Sequence, residues 1–168
     1  EQVLVLSTGV IGVQLPMGTL LPALSTVVEA LSANGGADAA EAIMTTDSHP
    51  KEKAFSGDGF TIGGMAKGAG MIHPNLATML AVITTDYPLE SGEPATLLKP
   101  AVRGTFNAIS VDGELSTNDS VLMLANGASG VAIVTTVFGA TGAGLCPAGG
   151  PLGPGPSGAR GPLGPGPT

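Results

Sequence analysis

Residues 67–80 read KGAGMIHPNLATML, and this stretch determines how the neighbouring segments are interpreted. It starts inside a glycine-dense region, residues 63–70, which the conformational freedom of glycine predicts to be a loop. It ends at Ala77-Thr78, and the apolar run that follows over residues 79–85 is typical of a strand. A threonine before such a run is usually an ordinary strand residue, so this pattern alone gives Thr78 no role.

Two common interpretations of a glycine-rich loop fail on spacing. A phosphate-binding loop requires Ser or Thr directly after its Gly-Lys pair, whereas Gly68 and Ala69 follow Lys67. The three spaced glycines of a dinucleotide-binding turn are also absent from this stretch. The loop therefore does not predict a nucleotide site.

Towards the N-terminus, the sequence predicts a strand and a helix. Residues 3–6, VLVL, form a short aliphatic strand candidate that stops at the turn-prone Ser7-Thr8-Gly9. Apolar residues recur at helical spacing over residues 20–31, and residues 34–36, NGG, supply a stop signal. A polar stretch through residues 51–53 leads to a second strand candidate at residues 60–62, FTI.

Towards the C-terminus, the pattern alternates again between helix and strand. Residues 89–108 are predicted to be helical in part. Residues 109–111, ISV, are predicted to form a strand, Asp112-Gly113 a turn, and residues 121–125 a further buried element. This alternation is compatible with an α/β protein.

Composition excludes several classes of function. The formal net charge is −7 with only 6 Lys and Arg in 168 residues, which argues against a nucleic-acid partner. A single cysteine, Cys146, and two histidines, His49 and His73, show no metal-ligand spacing, so no structural metal is predicted. Residues 120–159 carry no charge, but Asn126 and repeated glycines interrupt any apolar run long enough to span a membrane.

Two features concern the ends of the chain. Glu1 and Gln2 have neither an initiator methionine nor a basic segment, so we expect no signal peptide and a start within a longer protein.

The sequence GPLGPGP occurs at residues 150–156 and again at 161–167, without the regular glycine of collagen. We therefore predict one domain over residues 1–130 and a disordered, Gly/Pro-rich, low-complexity tail over residues 131–168.

The stretch 67–80 resembles the self-cleavage motif of the ornithine acetyltransferase family. Other segments match the family in the same order along the chain, and Leu76 stands where the family often has Met, a volume-conserving difference. The resemblance covers residues 3–130 and implies an α/β fold, a layered α-β-β-α sandwich that is incomplete in this chain. The supporting segments are residues 6–12 (LSTGVIG), 42–47 (AIMTTD), 63–67 (GGMAK), 109–113 (ISVDG) and 116–119 (STND).

The resemblance implies cleavage of the chain between Ala77 and Thr78, so that Thr78 becomes an N-terminal nucleophile. A threonine hydroxyl is a weak nucleophile, and a freed α-amine of pKa about 7.7–8.0 places a base beside it. The implied reaction transfers acetyl from N-acetylornithine to glutamate through acetyl-Thr78, in arginine biosynthesis. No bound cofactor is implied, although some members use acetyl-CoA as the acetyl donor.

The resemblance also assigns four supporting residues. The hydroxyl of Thr8 and the backbone N–H of Gly9 match the family's oxyanion hole, which stabilises the tetrahedral intermediate. Thr45 and Lys67 match positions that contact the amino-acid substrate, and a cation at Lys67 suits a carboxylate. The alternatives from the residues alone are a strand-ending turn at Thr8-Gly9 and a solvated loop lysine at position 67.

The family further implies a cytoplasmic enzyme that assembles as a heterotetramer of two cleaved precursor copies. Two other functions remain open. One is an N-terminal-nucleophile amidohydrolase or aminopeptidase, in which water resolves the acyl-enzyme. The other is an inactive, truncated fragment.

Overall fold

The computed structural model describes residues 4–10 and 12–131. This part of the chain contains three α-helices, one 3-10 turn and six strands. In chain order they are α1 (Met17–Glu29), α2 (Gly36–Ala42), β1 (Lys51–Gly57), β2 (Phe60–Lys67), β3 (Ile72–His73), β4 (Leu76–Ala77), β5 (Leu80–Thr85), α3 (Glu93–Gly104), the 3-10 turn (Phe106–Ala108) and β6 (Ser120–Ala125).

Four strands form one mixed sheet in the order β1-β2-β5-β6. β1, β2 and β5 are antiparallel neighbours, whereas β6 runs parallel to β5 and is reached through α3. The β1–β2 turn is Asp58-Gly59, with φ of +53° and +82°. Positive φ at both central residues is the requirement of the tight hairpin turn that matches strand twist.

Successive residues of a strand point to opposite faces of a sheet, and helices lie on both faces of this one. Helix α2 contacts β1 and β2, and its Ala39 lines a groove together with Met65 and Val82. Phe106, which follows α3, shares a groove on the other face with Ala81 and Ile83. The fold is therefore a mixed α/β arrangement, as the sequence predicts.

The small core lies beside β5. Ile72, Ala77 and Met79 are buried together, and the partly buried Phe106 and Val121 pack against them. The core therefore joins the β3–β4 hairpin to the end of the main sheet. This packing fixes the position of residue 78 between two buried neighbours.

The predicted glycine loop at residues 63–70 is wrong in its first half. β2 continues through Gly63 and Gly64 to Lys67. Glycine has a low strand preference, but β2 pairs on both sides, with β1 and β5. A Cβ at Gly64 would stand 3.2 Å from the Val82 carbonyl oxygen, so close backbone approach explains the glycine here.

The observed helices and strands agree with most of the elements that the sequence predicts. The predictions of α1, β5, α3 and β6 are confirmed, although β6 is half-buried to exposed rather than buried. The strand predictions at residues 3–6 and 109–111 are wrong for the described residues, because no described strand pairs with either segment. Val3 and the tail residues 132–168 lie outside the described residues.

Within residues 4–10 and 12–131, no helix has the length and apolar character needed to cross a membrane.

Candidate active site

Ala77 and Thr78 lie at the end of the β3–β4 hairpin. Ile72 pairs with Ala77, and the two-residue turn is Pro74-Asn75, with Asn75 at φ +66°. A proline followed by a residue of positive φ is the signature of a type II turn. Immediately after β4, the Thr78 N–H donates to the Met71 carbonyl at 2.7 Å. The hairpin therefore holds the Ala77–Thr78 peptide bond in a defined place.

The hydroxyl of Thr78 is buried but makes no hydrogen bond. Its Oγ1 atom is inaccessible to solvent, and no described residue donates to it or accepts from it. Buried hydroxyls nearly always have a partner, because an unsatisfied polar group costs about 1–3 kcal/mol. No described residue therefore uses the donor and the acceptor of the Thr78 hydroxyl, and a catalytic role is one explanation for such a group.

Gly68 lies against the backbone of Thr78. A Cβ on Gly68 would stand 2.9 Å from the Thr78 carbonyl oxygen, closer than real Cβ contacts occur. Its φ of +142° is also a conformation that side chains disfavour. Both features require glycine at this position.

Lys67 and Thr45 are brought together. The Lys67 ammonium donates to the Thr45 hydroxyl at 3.0 Å, and Lys67 is only 3% exposed. Among the described residues, no carboxylate forms an ion pair with Lys67. The interpretation of Lys67 as a solvated loop lysine is therefore wrong, since the residue ends β2 and is buried with an uncompensated charge.

Asp47 joins the loop before β1 to the end of β2. Its Oδ1 accepts from the Gly68 N–H at 2.8 Å and from the Lys51 ammonium, and its Oδ2 accepts from the Thr45 N–H at 3.3 Å. Burial raises the pKa of this carboxyl, but the hydrogen bonds from Lys51, Gly68 and Thr45 outweigh burial and lower the pKa to about 2. Asp47 is therefore a carboxylate at neutral pH.

Asp112 fastens the start of the hairpin. Its Oδ2 accepts from the Met71 N–H at 2.7 Å and its Oδ1 from the Ile72 N–H at 3.3 Å. The Met71 hydrogen bond is the main cause that lowers the pKa of Asp112. Met71 has a φ of +53°, so this carboxylate stabilises a strained turn.

The structure does not join Thr8 and Gly9 to the hairpin. Both residues are described, and no hydrogen bond between described residues links either one to Thr78. Thr8 is partly buried and Gly9 is exposed, in a segment without helix or strand. Of the six predicted site residues, the structure therefore brings Thr45 to Lys67, whereas Ala77 and Thr78 are consecutive in the sequence.

Sequence reasoning gave no role to Asp47 or Asp112. Each carboxylate acts on backbone N–H groups, and such contacts leave no periodic pattern in a sequence. A usable signal was that each Asp lies next to a turn-forming residue in a segment that matched the family motifs, at residues 42–47 and 109–113.

The sheet, its two helical faces and the buried hydroxyl of Thr78 define a mixed α/β protein with a candidate hydroxyl nucleophile. A sequence profile of the ArgJ family matches residues 1–143, and the chain belongs to this family. The match reaches past residue 130, where composition places the domain boundary, and that boundary stays a prediction.

Curated relatives agree with this assignment. The chain is 54% identical over 130 residues to the arginine biosynthesis bifunctional protein ArgJ of Symbiobacterium thermophilum, a match that covers 75% of this chain and 32% of the relative. It is 53% identical over 130 residues to the protein of the same name from Streptomyces coelicolor, covering 77% and 34%. It is 53% identical over 131 residues to the protein of the same name from Prochlorococcus marinus, a match that covers 76% of this chain and 31% of the relative. The chain thus spans about a third of the length of these relatives.

Proposed function

We propose that this chain is the self-cleaving segment of an ornithine acetyltransferase, which transfers acetyl from N-acetylornithine to glutamate in arginine biosynthesis. The observation that carries the proposal is the Thr78 hydroxyl, which is buried beside the Ala77–Thr78 bond and has no hydrogen-bond partner among the described residues. Family membership and the relatives' names support the reaction class.

Cleavage would begin with attack of Thr78 Oγ1 on the Ala77 carbonyl carbon. The carbon–nitrogen bond breaks as the hydroxyl proton passes to the Thr78 nitrogen, which leaves an ester between Ala77 and the Thr78 side chain. Water then hydrolyses the ester to the Ala77 carboxylate and a free Thr78 hydroxyl. The new α-amine, with an ordinary pKa of about 7.7–8.0, becomes the base for the second reaction.

Acetyl transfer would use the same oxygen. Thr78 Oγ1 attacks the acetyl carbonyl of N-acetylornithine, ornithine leaves as the amine, and acetyl-Thr78 remains. The amino group of glutamate attacks this ester, which releases N-acetylglutamate and regenerates Thr78. In this proposal Thr8 and Gly9 stabilise the oxyanion of both tetrahedral intermediates.

Thr45 and Lys67 are proposed to bind the amino-acid substrate. The buried ammonium of Lys67 is 3.0 Å from a neutral hydroxyl and forms no ion pair with a described residue. Burial of a cation is unfavourable without an anion, so a substrate carboxylate would complete this site. The charge of Lys67 supports an amino-acid substrate rather than a neutral one.

The finer structural expectations are also proposals. The four-stranded sheet would be one layer of the α-β-β-α sandwich, and the second sheet would come from the remaining length of the family protein. A heterotetramer of two cleaved copies, a cytoplasmic location, the absence of a bound cofactor and use of acetyl-CoA as a donor all rest on family membership.

The cleavage experiment uses a protein of the relatives' full length that carries residues 1–131 of this sequence, below called the full-length protein. Intact-mass measurement should find two fragments, the second starting at Thr78. Thr78→Ser should still cut, because it keeps the hydroxyl, whereas Thr78→Ala should stay whole. A Thr78→Ala protein that cuts at the same bond would overturn the nucleophile assignment.

The cleaved protein also separates transfer from hydrolysis. N-acetylornithine is supplied with and without glutamate, and ornithine, acetate and N-acetylglutamate are measured. We expect ornithine release to depend on glutamate and to match N-acetylglutamate formation. Release of acetate at a rate independent of glutamate would instead indicate an amidohydrolase.

A further inference from the structure

Asp47 occupies an unusual place between the substrate residues and the cleavage site. Its carboxylate side chain is completely buried, and it accepts hydrogen bonds from three different segments. These are the Thr45 backbone before β1, the Lys51 side chain at the start of β1, and the Gly68 backbone after β2. A buried carboxylate with several charge-assisted or backbone hydrogen bonds is a rigid connector.

Asp47 and Lys51 together hold the backbone of Gly68. Asp47 holds the Gly68 N–H at 2.8 Å, and Lys51 donates to the Gly68 carbonyl at 3.2 Å. Both polar groups that flank the Gly68 α-carbon are therefore fixed. The Thr78 carbonyl oxygen lies where a Gly68 side chain would begin, 2.9 Å from the position of a Cβ, so movement of Gly68 away from Thr78 would strain these two hydrogen bonds.

Asp47 also holds the backbone of Thr45. Asp47 accepts from the Thr45 N–H, and the Thr45 hydroxyl accepts from the buried Lys67 ammonium. The same carboxylate therefore orients the hydroxyl that holds Lys67. Lys67 and Gly68 are adjacent in sequence, so the connections from Asp47 converge on one short segment.

We infer that Asp47 is a positioning residue for the Thr78 site: its carboxylate holds Gly68 against Thr78 and holds Thr45 against Lys67. The inference rests on the proposed function, because it assumes that Thr78 reacts. Asp47 itself makes no contact with the reacting bond, so it acts through these two neighbours. Ion pairing with Lys51 is one part of this role, since Lys51 also holds Gly68.

The main test is Asp47→Asn in the full-length protein. Asparagine keeps the size and one acceptor oxygen but removes the charge that three donors share. Small displacements of a reacting group are costly, so we expect cleavage after Ala77 to slow by about tenfold or more. Asp58→Asn makes the same chemical change in the exposed β1–β2 turn and should leave the cleavage rate unchanged.

Substrate affinity distinguishes positioning from a general loss of structure. Partial unfolding lowers apparent kcat in proportion to the inactive fraction and leaves KM unaltered. In Asp47→Asn protein that has finished cleaving, displacement of Thr45 and Lys67 should raise KM for N-acetylornithine by about fivefold or more. Kinetics are measured well below the unfolding temperature of every variant.

Lys51→Met is the second variant, and it tests the inference if Asp47→Asn does not fold. The Lys51 side chain is 38% exposed, so its loss is compatible with folding. It frees the Gly68 carbonyl and removes the cation that pairs with the Asp47 carboxylate, but it keeps both backbone hydrogen bonds of Asp47. Cleavage should therefore slow by roughly threefold, with KM unchanged.

The outcomes separate the two proposals. If Thr78→Ala protein is still cut, the proposed function fails. If Thr78→Ala stays whole while Asp47→Asn, Lys51→Met and Asp58→Asn all cleave at the unsubstituted rate with unchanged KM, only the role of Asp47 is overturned.

Discussion

Gly68 leaves no room for a side chain beside Thr78, because a Cβ on Gly68 would stand only 2.9 Å from the Thr78 carbonyl oxygen. The contact joins the segment after β2 to the residue that follows the cleavage bond. Gly68 also has a φ of +142°, so its conformation and its contact both exclude a side chain. A single methyl group at position 68 would therefore displace Thr78 directly.

Gly68→Ala tests this contact. The added methyl group must move the Thr78 carbonyl or the backbone of residue 68, and backbone strain of this kind costs about 1–3 kcal/mol. We expect slower cleavage after Ala77 and a lower Tm in the full-length protein, measured by intact mass over time and by thermal unfolding.

Gly104→Ala is the matched control. Gly104 ends α3, and a Cβ there would meet nothing within 4 Å. Alanine in place of a helical glycine stabilises by about 0.5–1 kcal/mol, so the Tm should stay equal or rise. Equal cleavage rates for Gly68→Ala and Gly104→Ala would show that the Gly68 contact is not needed.

Thr8→Ala tests the oxyanion role of Thr8. A donor that acts on charge developed in the transition state contributes to kcat more than to binding, so kcat should fall by about 10²–10³ with little change in KM. Steady-state kinetics of the cleaved full-length protein measure both constants. Ser7→Ala removes the neighbouring hydroxyl and should have no comparable effect, whereas an unchanged kcat in Thr8→Ala would dismiss the role.

Lys67→Met separates binding from folding. Methionine removes a buried cation whose one hydrogen-bond partner among the described residues is the Thr45 hydroxyl, so stability should be equal or higher. The loss of a carboxylate partner should raise KM for N-acetylornithine by about tenfold or more, with a smaller fall in kcat.

Lys53→Met, on an exposed lysine of β1, is the control for charge removal and should leave KM unaltered. A Lys67→Met protein with normal KM would contradict the assignment of Lys67 to the substrate.

The elements predicted correctly are those that apolar pattern alone specifies. α1 and β5 follow from helical spacing and from an unbroken apolar run. β1 has the sequence KEKAFSG, which gives no such pattern, and it becomes a strand through pairing with β2 across Asp58-Gly59. That Asp-Gly pair is the hairpin signal that the sequence contains for β1 and β2.

The site divides in the same way. Thr78 and Lys67 both lie in the motif of residues 67–80, which is long enough to identify from the sequence, so both were expected to be site residues. Asp47 and Asp112 were missed, because the backbone N–H groups that each carboxylate accepts include ones far away in the sequence, and such contacts leave no periodic pattern. For Asp112 those partners are 40 and 41 residues away in sequence.

Asp119 makes the stability of the fold depend on pH. It precedes β6 and lines a groove of 360 Å³ beside α3, together with Lys99 and Asn107. Its Oδ1 is buried and has no hydrogen-bond partner among the described residues, and burial raises the pKa of this carboxyl above 3.8. Asp119 thus opposes the trend of Asp47 and Asp112, whose pKa values are lowered.

The sign of the effect follows from proton binding. A raised pKa means that the folded protein binds a proton more tightly than the unfolded chain, so stability falls as pH rises through the interval between the two pKa values. Asp119→Asn removes this penalty and should raise the Tm at pH 7 by on the order of 2 °C, with no gain at a pH below the unfolded value. Asp47 behaves oppositely, because its contribution is present above pH 3.8 and is lost as pH falls towards about 2.

Thermal unfolding of the full-length protein between pH 3 and pH 7 measures the difference in Tm between Asp119→Asn and the unsubstituted protein. Asp58→Asn, on an exposed carboxylate, is the control for the exchange of Asp for Asn. Because asparagine fills the same groove without a charge, any gain at neutral pH reports the cost of the buried carboxylate. A Tm lower at pH 7 in Asp119→Asn would mean that the carboxylate has a stabilising partner in the full-length protein, and it would contradict the assignment of Asp119 as a partly buried carboxylate that lowers stability.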